Sequence, residues 1–251
     1  MEFVDVHNHL LSTDFDGDRD KVIKDAIAAG VKYSITVAES YDESVNLLEF
    51  SKNSDFVKAC IGIYPANFDD FENTGKIIEL IKENRNSIAG IGEVGLDFWK
   101  AKTDEEKQVQ KEVFIRLVET AKELDLPLNI HSRSAGHYVI ELLKKFKVKK
   151  VCMHAFDGKA KYAVDGFNSG YYFSIPTSVV HSQQKIKLIK NLPLEAMLAE
   201  TDAPVLSPLP GTRNEPKNIL KVIEKISEIK NMDIKETAAV LRENTYKLFG
   251  F

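Results

Sequence analysis

The sequence predicts an α/β fold in which a single domain, residues 1–251, forms a (β/α)8 TIM barrel with an extra helix at the C-terminus. Eight short apolar runs rich in β-branched residues alternate with segments of helical periodicity, as in such a barrel. The length of 251 residues suits one barrel. Side chains that can bind metal ions follow several runs, at the face where a barrel carries its chemistry. A doubly wound open sheet is the alternative fold.

The predicted strands are short runs in which apolar and β-branched residues dominate and polar turn residues flank each run. In chain order they are Phe3–His9, Tyr33–Ala38, Val57–Ile63, Ile88–Gly95, Pro127–His131, Lys150–His154, Tyr171–Ile175 and Ala196–Glu200.

The predicted helices have apolar residues at spacings of three and four, and some have recognisable ends. Asp20–Ala29 stops before Gly30, a residue suited to the left-handed conformation that follows a helix. Thr103-Asp-Glu-Glu106 is a capping box that begins a long amphipathic helix. The other predicted helices are Tyr138–Phe146, Gln183–Asn191, Pro216–Ile229 and the C-terminal helix Ile234–Phe249.

Composition limits the classes of partner and the compartment. The net charge of −4 gives no overall basic field, which argues against nonspecific coating of DNA but not against a nuclease that carries bound metal ions. The two cysteines, Cys60 and Cys152, lie in apolar runs and are expected to be buried, reduced thiols. We find no signal peptide and no apolar run of about 18 residues, so we expect a cytoplasmic protein without membrane contact. Nothing in the sequence indicates a stable protein partner.

Two histidines close the first predicted strand. Alternate residues of a strand share a face, so Asp5, His7 and His9 are expected on the same face. Two neighbouring imidazoles can hold one side of a transition-metal ion, and the alternative is a polar pair that frays into a loop. Asp5 lies one step deeper and is expected to support the ligands without binding metal itself.

Six potential ligands stand at strand ends that meet on one face of a barrel. They are His7, His9, Glu93, His131, His154 and Asp202. Four imidazoles and two carboxylates suit two divalent ions (zinc, manganese or magnesium), and the two oxygens of a glutamate can bridge such a pair. The ions would lower the pKa of a water and polarise a phosphoryl or carbonyl oxygen. Asp202 can accept the proton of the attacking water, which predicts hydrolysis without a covalent enzyme intermediate.

The sequence Gly90-x-Gly92-x-x-Gly95 formally matches a dinucleotide-binding fingerprint. The match is weak because this run leads into Leu96–Trp99 and not directly into a helix. We interpret the glycines as small residues that let Glu93 approach a metal ion. Asp97 is either a partner of a metal-bound histidine or a plain loop acid.

Seven motifs follow one another along almost the whole chain. They are Asp5-x-His7-x-His9, Gly92-Glu93-Val-Gly95-Leu-Asp97, His131-Ser-Arg133, His154-Ala-Phe156, Glu200-Thr-Asp202-Ala-Pro204, Arg213-Asn-Glu-Pro216 and Asn244-Thr-x-x-Leu-Phe249. This set resembles the TatD family of metal-dependent deoxyribonucleases, within the amidohydrolase-like TIM barrels.

The resemblance implies a distorted TIM barrel that hydrolyses phosphodiester bonds of DNA, often as an exonuclease from the 3′ end, with single-stranded DNA or 3′ ends as substrate. His7, His9, Glu93 and Asp202 would hold one ion, and Glu93, His131 and His154 the second. Glu93 would bridge the ions and Asp202 would be the proton acceptor.

Two positions depart from the family pattern. Tyr64 precedes Pro65 where the family often has histidine, and this position is expected near the substrate. Leu11 stands where an acidic or polar residue is common, with little expected consequence for the metal ions.

Several further side chains are candidates for substrate contact. Arg133, two residues after His131, has a guanidinium suited to phosphate, and a structural ion pair is the alternative. Arg213, in the loop after the eighth strand, has the same two interpretations. Trp99 and Lys100 can combine a base-stacking surface with a phosphate contact, and the alternative for Trp99 is a partly buried lid residue. His181 is expected to be a surface histidine, although its loop can reach the site.

Two other functions remain open from the sequence. The same barrel can hydrolyse an ester or amide, such as a D-aminoacyl-tRNA or a cyclic amide, and Tyr64 leaves specificity open. Many related barrels bridge their metals with a carbamylated lysine, whereas Glu93 has that role here, which favours phosphoesters. A binding or scaffold protein on a relic barrel is the third possibility, and the complete set of six ligands argues against it.

Overall fold

The computed structural model describes residues 1–251 and contains eight parallel strands in one sheet. Each strand pairs with the next one along the chain, which is the order of a (β/α)8 barrel. The alternative, a doubly wound open sheet, is wrong because the strand order of that fold reverses at a switch point. The strands are β1 (Phe3–Asn8), β2 (Val31–Val37), β3 (Val57–Ile61), β4 (Gly90–Gly95), β5 (Leu128–His131), β6 (Val151–Met153), β7 (Tyr172–Ile175) and β8 (Met197–Ala199).

The barrel closes between β1 and the irregular segment that follows β8. The backbone N–H of Asp202 donates to the carbonyl of His7 at 2.9 Å, and the N–H of His9 donates to the carbonyl of Ala203 at 2.8 Å. β8 itself has only three residues, so these two bonds complete the circle of strands. The barrel is therefore distorted at its closure, and this distortion places Asp202 beside both histidines.

Nine helices cover the outside of the barrel and its N-terminal end. They are α1 (Arg19–Ala28), α2 (Tyr41–Lys52), α3 (Thr74–Glu83), α4 (Asp104–Leu124), α5 (Gly136–Phe146), α6 (Ala160–Asn168), α7 (Gln183–Asn191), α8 (Ile219–Lys230) and α9 (Ile234–Phe249). None of them combines the length and the apolar character needed to cross a membrane.

The six predicted helices are present, and three helices were not predicted. α2 buries only one serine and two leucines, so its apolar stripe is narrow, and α3 and α6 begin without a side-chain cap. The predicted capping box is confirmed, since Thr103 and Glu106 bond each other's backbone N–H groups at the start of α4. Gly30 has φ +100°, as expected after α1. The helix predicted from Pro216 begins instead with a 3-10 turn, Pro216–Asn218, and becomes α-helical at Ile219.

Two apolar clusters hold the barrel together. The larger one has 53 buried residues and lies between the strands and the helices. The smaller one contains residues of β1, β2, β3, β6 and β8 together with Leu248 and Phe249 of α9. Cys60 and Cys152 are buried in this inner cluster, as predicted. Tyr33, near the start of β2, also packs there, so α9 closes the N-terminal end of the barrel and leaves the C-terminal end for the site.

Candidate metal centre

Side chains of β1 alternate between the inside and the outside of the barrel, but this alternation breaks before the strand reaches His7. Val6 packs in the inner cluster, and the pairing of β1 with β2 shifts its register between Asp5 and Asn8. The next side chain, His7, also points inward and reaches β5 across the barrel. The prediction that Asp5 shares the face of the histidines is wrong. Its carboxylate instead accepts hydrogen bonds from Asn8 and from both the N–H and the hydroxyl of Thr201.

Asp5 supports the site indirectly, because it binds Thr201, the residue that precedes the predicted ligand Asp202. Thr201 is held by Asp5 and leads directly into Asp202, which has φ +58°. Burial raises the pKa of Asp5 to about 7, while the hydrogen bonds from Thr201 and Asn8 favour the ionised form. Asp5 therefore fixes the position of the Asp202 backbone and lies outside the ligand cluster, as the sequence indicated.

Four side-chain atoms converge on one point at the C-terminal end of the barrel. His7 Nε2 lies 3.6 Å from both Glu93 Oε2 and Asp202 Oδ1. His9 Nε2 lies 3.6 Å from the same glutamate oxygen and 3.5 Å from the same aspartate oxygen. A tetrahedral ion bound at about 2.1 Å has ligands separated by about 3.4 Å, so the spacing fits a divalent cation. His7 Nε2 is also buried without a hydrogen-bond partner, so this nitrogen is available to a cation that displaces its proton.

The other oxygen of Glu93 belongs to a second group of potential ligands. Glu93 Oε1 lies 2.7 Å from His131 Nδ1 and 3.8 Å from His154 Nε2. Asp202 Oδ2 lies 3.9 Å from the same His154 nitrogen. The ring of His154 stacks on that of His7 at 3.5 Å between centroids, so the two groups are adjacent. Glu93 thus presents one oxygen to each of two groups that can hold a cation.

A polar partner orients each of the three most buried imidazoles through the ring nitrogen that faces away from the cluster. His7 Nδ1 lies 2.9 Å from Asn129 Oδ1, and His154 Nδ1 lies 3.0 Å from Glu200 Oε2. His131 Nε2 lies 3.1 Å from Asp97 Oδ2. Each of these nitrogens donates its proton to an oxygen, so the opposite nitrogen can offer a lone pair to a cation.

Asp97 joins several loops around His131, which favours the interpretation as a histidine partner over a plain loop acid. Its carboxylate accepts hydrogen bonds from the backbone N–H groups of Trp99 and Lys100 and from the hydroxyl of Tyr64. Burial raises the pKa of Asp97, but the interactions with His131, the Lys100 N–H and Tyr64 together outweigh burial and hold the pKa below its usual value. The side chain is therefore an anion that fixes the orientation of His131.

The carboxylates and imidazoles of the cluster stabilise one another's charged forms. Burial lowers the pKa of His7, but the carboxylates of Glu93 and Asp202 outweigh it and raise that pKa to about 10. Burial likewise lowers the pKa of His131, and Asp97 and Glu93 raise it to about 9. The histidines in turn hold the pKa of Glu93 and of Asp202 below their usual ranges despite burial. A divalent cation that binds these nitrogens therefore displaces protons.

A cavity of about 770 Å³ opens above the cluster, and two of the predicted substrate contacts, Tyr64 and Arg133, line it, whereas Trp99 and Lys100 do not. The Arg133 guanidinium stacks on the ring of Trp99 at 3.9 Å, and the ammonium groups of Lys100 and Lys102 lie 5.3 and 5.1 Å from that ring. Trp99 keeps 47% of its surface exposed. The site therefore has a cationic, aromatic rim on the side of β4 and β5, which we call the Trp99–Arg133 platform.

Arg213 does not reach this cavity. Its guanidinium makes a bidentate ion pair with Asp18, with N–O distances of 2.8 and 2.7 Å, and a further contact of 3.0 Å with Glu215. It also stacks on Phe15 at 4.8 Å. These contacts favour the structural ion pair over the predicted phosphate contact, because four hydrogen bonds already join the guanidinium to protein oxygens.

Comparisons with known proteins identify the family of this chain. A family model described as TatD related DNase matches residues 4–250. The chain belongs to this family. The human protein named Deoxyribonuclease TATDN3 is 40% identical over 257 residues, which cover 98% of this chain and 94% of the human one. The Bacillus subtilis protein named Uncharacterized metal-dependent hydrolase YabD is 34% identical over 253 residues, 98% of each chain.

A solved structure of the TatD family has the same fold. The crystal structure of YJJV, a TatD homolog from Escherichia coli, matches with a TM-score of 0.92 at 25% identity. The match covers 99% of this chain and 98% of the Escherichia coli chain. The resemblance identified from the seven motifs is therefore confirmed at the level of family and fold.

The glycines of the TatD motif on β4 allow this strand to pack closely against β5. A Cβ added to Gly92 would lie 2.7 Å from the Cβ of Asn129, and one added to Gly95 would lie 2.0 Å from the carbonyl oxygen of His131. Gly95 also has φ +147°. The glycines thus bring β4 against β5, so that Glu93 reaches both groups of ligands. They do not form a nucleotide-binding turn, since a loop separates β4 from α4.

In this TatD family member the residue that departs from the usual histidine, Tyr64, lines the cavity. Its ring meets His131 edge-on at 4.9 Å, and its hydroxyl donates to Asp97 at 3.1 Å. Tyr64 therefore supports His131, a member of the second group of potential ligands, and also faces the cavity in which a substrate would bind.

Sequence reasoning missed three residues of the site, Asn129, Glu200 and Lys185. Asn129 orients His7, and Glu200 orients His154. Only one hint of this was present in the sequence: Asn129 lies in the same predicted strand as His131, and Glu200 lies in the same motif as Asp202. His181 is exposed, as expected, but lines the cavity. Lys185 lines it too and is buried, which no helical pattern predicts for a lysine.

Proposed function

We propose that this protein is a deoxyribonuclease that hydrolyses DNA phosphodiester bonds with two divalent metal ions. The observation that carries the proposal is the position of Glu93, whose two oxygens face two separate groups of ligand atoms. His7, His9, Glu93 and Asp202 would hold one ion, and Glu93, His131 and His154 the other. Imidazole-rich sites of this kind favour zinc or manganese, with magnesium as a further candidate.

The bound ions would supply a hydroxide nucleophile at neutral pH and stabilise negative charge on the phosphoryl group. The protein contributes a largely buried set of ligand side chains in fixed positions at one end of the barrel. Asp202 is 6% exposed and ionised, with one oxygen toward His7 and His9 and the other toward His154. We assign to Asp202 Oδ2 the acceptance of the proton of the attacking water, since Oδ1 lies with His7 and His9 and would bind the first ion.

The Trp99–Arg133 platform supports a nucleic-acid substrate. Arg133 both lines the cavity and lies on Trp99, so it can hold a phosphate near the metal ions while the indole stacks with a base. Lys100 adds a second positive charge at the same rim. This arrangement favours a single strand or a frayed end, whose bases are free to stack. Cleavage from the 3′ end stays a prediction of the family resemblance.

The rival function is hydrolysis of a carboxylic ester or amide, such as a D-aminoacyl-tRNA or a cyclic amide. The same nucleophile attacks a carbonyl, and Tyr64 gives the cavity a wall that differs from the usual family pattern. The exposed cations of the rim favour a phosphodiester over a cyclic amide, because a neutral amide offers Arg133 no phosphate to bind. A D-aminoacyl-tRNA carries phosphates of its own, so a substrate panel separates it from DNA.

A substrate panel tests the proposal directly. The manganese-loaded protein is expected to cleave an end-labelled single-stranded oligonucleotide and bis(p-nitrophenyl) phosphate, and to lose both activities after treatment with EDTA. A D-aminoacyl ester serves as the comparison substrate. The labelled products also give the direction of cleavage. Fast turnover of the ester with no turnover of DNA would contradict the proposal and favour the rival function.

A further inference from the structure

One buried cation of the cavity has no part in the chemistry described so far. Lys185, in the first turn of α7, is 7% exposed. Its ammonium donates to the carbonyl oxygens of Ala155 and Phe156, both at 2.7 Å, and no carboxylate lies within ion-pair distance. An ammonium has three N–H donors, so one remains beyond these two carbonyls. Burying a charge without an anionic partner costs free energy, so the presence of a buried ammonium at this position needs an explanation.

Holding the loop after β6 is not a sufficient reason. Gln184, the neighbouring residue, already donates to the carbonyl oxygens of Phe156 and Gly158, both at 3.1 Å. A neutral amide thus bonds the same loop from the same turn of α7. The charge of Lys185 is therefore unnecessary for this purpose, and a neutral side chain would avoid the cost of desolvation.

The position of Lys185 gives its charge a different use. It lines the cavity together with Glu93, His131, His154 and Asp202, on the wall that α7 provides. Burial lowers the pKa of Lys185 to about 8, while Glu200, Asp157 and Asp202 act in the opposite direction. The side chain therefore still carries its charge at pH 7. Arg133 lines the same cavity, so an anion that enters it meets two positively charged side chains.

We propose that Lys185 binds a non-bridging oxygen of the substrate phosphate, from the wall of the cavity that α7 forms. The inference rests on the proposed function, because it takes the substrate to be a phosphodiester. The two carbonyls fix the ammonium in place, and the third N–H completes its hydrogen bonds only when a phosphate is present. Lys185 would then stabilise the charge that develops on the phosphoryl oxygens during hydrolysis.

Inorganic phosphate is the probe that tests this proposal apart from catalysis. Its binding to the manganese-loaded protein is measured by calorimetry for the wild type and for Lys185→Met, Lys185→Gln and Lys185→Arg. Lys187→Met is the matched control, because Lys187 lies two residues further along α7 and is exposed. We expect the Met and Gln variants to bind phosphate about 10- to 100-fold more weakly, the magnitude of a charged hydrogen bond. Lys185→Arg and Lys187→Met should stay within about threefold of the wild type.

Metal content and melting temperature separate this role from a structural one. Under the proposal the Gln and Met variants keep their manganese, and only the affinity for phosphate falls. Phosphate binding equal to that of Lys187→Met would overturn it, and so would a loss of phosphate affinity that merely follows a loss of metal. If the Met and Gln variants do not fold, weak phosphate binding by a folded Lys185→Arg protein overturns it. A wild type that binds phosphate through Lys185 without cleaving DNA would refute the nuclease function and leave this site standing.

Discussion

Replacing Glu93 by glutamine is expected to lower metal-dependent cleavage of DNA by a thousandfold or more, about 4 kcal/mol of transition-state stabilisation. Glu93 directs one oxygen to His7 and His9 and the other to His131 and His154. A glutamine keeps the shape but turns one of these oxygens into an NH2 group, which cannot bind a cation. Both ions should therefore bind more weakly. Initial rates on a labelled single strand, with bound metal measured by elemental analysis, test this expectation.

The control is a glutamate of the same charge far from the cavity. Glu83 ends α3 and is exposed, so Glu83→Gln should keep wild-type rates and metal content. Circular dichroism and the melting temperature show whether Glu93→Gln remains folded. A folded Glu93→Gln protein that keeps its two ions and cleaves DNA at the rate of Glu83→Gln would contradict the role of Glu93.

The second large effect is expected for Asp202→Asn, with kcat lowered about 10²- to 10⁴-fold. Asp202 Oδ1 lies 3.6 Å from His7 Nε2 and 3.5 Å from His9 Nε2, and the amide can no longer accept the proton of the attacking water. The group of Glu93, His131 and His154 is left intact. Metal content should therefore fall by about one ion and not two, which distinguishes this variant from Glu93→Gln.

Asp165→Asn is the matched control for this variant, because Asp165 lies on α6 and pairs only with Lys144 at the surface. The two proteins should have similar melting temperatures in the presence of metal, while only Asp202→Asn loses activity. If Asp202→Asn retained at least a third of the wild-type kcat, a different proton acceptor would have to be sought.

The positions of the ligands could be predicted because they depend on a rule of the fold. The C-terminal ends of parallel strands meet on one face of a barrel, so the ligands at the ends of β1, β4, β5 and β6 had to lie together. The order of seven motifs then made the family recognisable. Both inferences use local sequence and need no knowledge of which side chains touch.

Contacts across the barrel could not be predicted in this way. His7 on β1 meets Asn129 on β5, and His154 meets Glu200 beyond β8, so each pair joins elements far apart in sequence. The irregularity of β1 likewise has no local signal, and simple alternation therefore placed Asp5 on the wrong face. Lys185 was missed because a buried charge on a helix contradicts the amphipathic pattern, as functional residues often do.

The central claim is that Glu93 bridges two divalent ions, and a crystal grown with Mn²⁺ tests it most directly. An anomalous difference map should show two peaks about 3.5–4 Å apart, one on each side of the Glu93 carboxylate. One peak should contact His7, His9 and Asp202, and the other His131 and His154. A single peak away from Glu93, or no peak at saturating Mn²⁺, would contradict the claim.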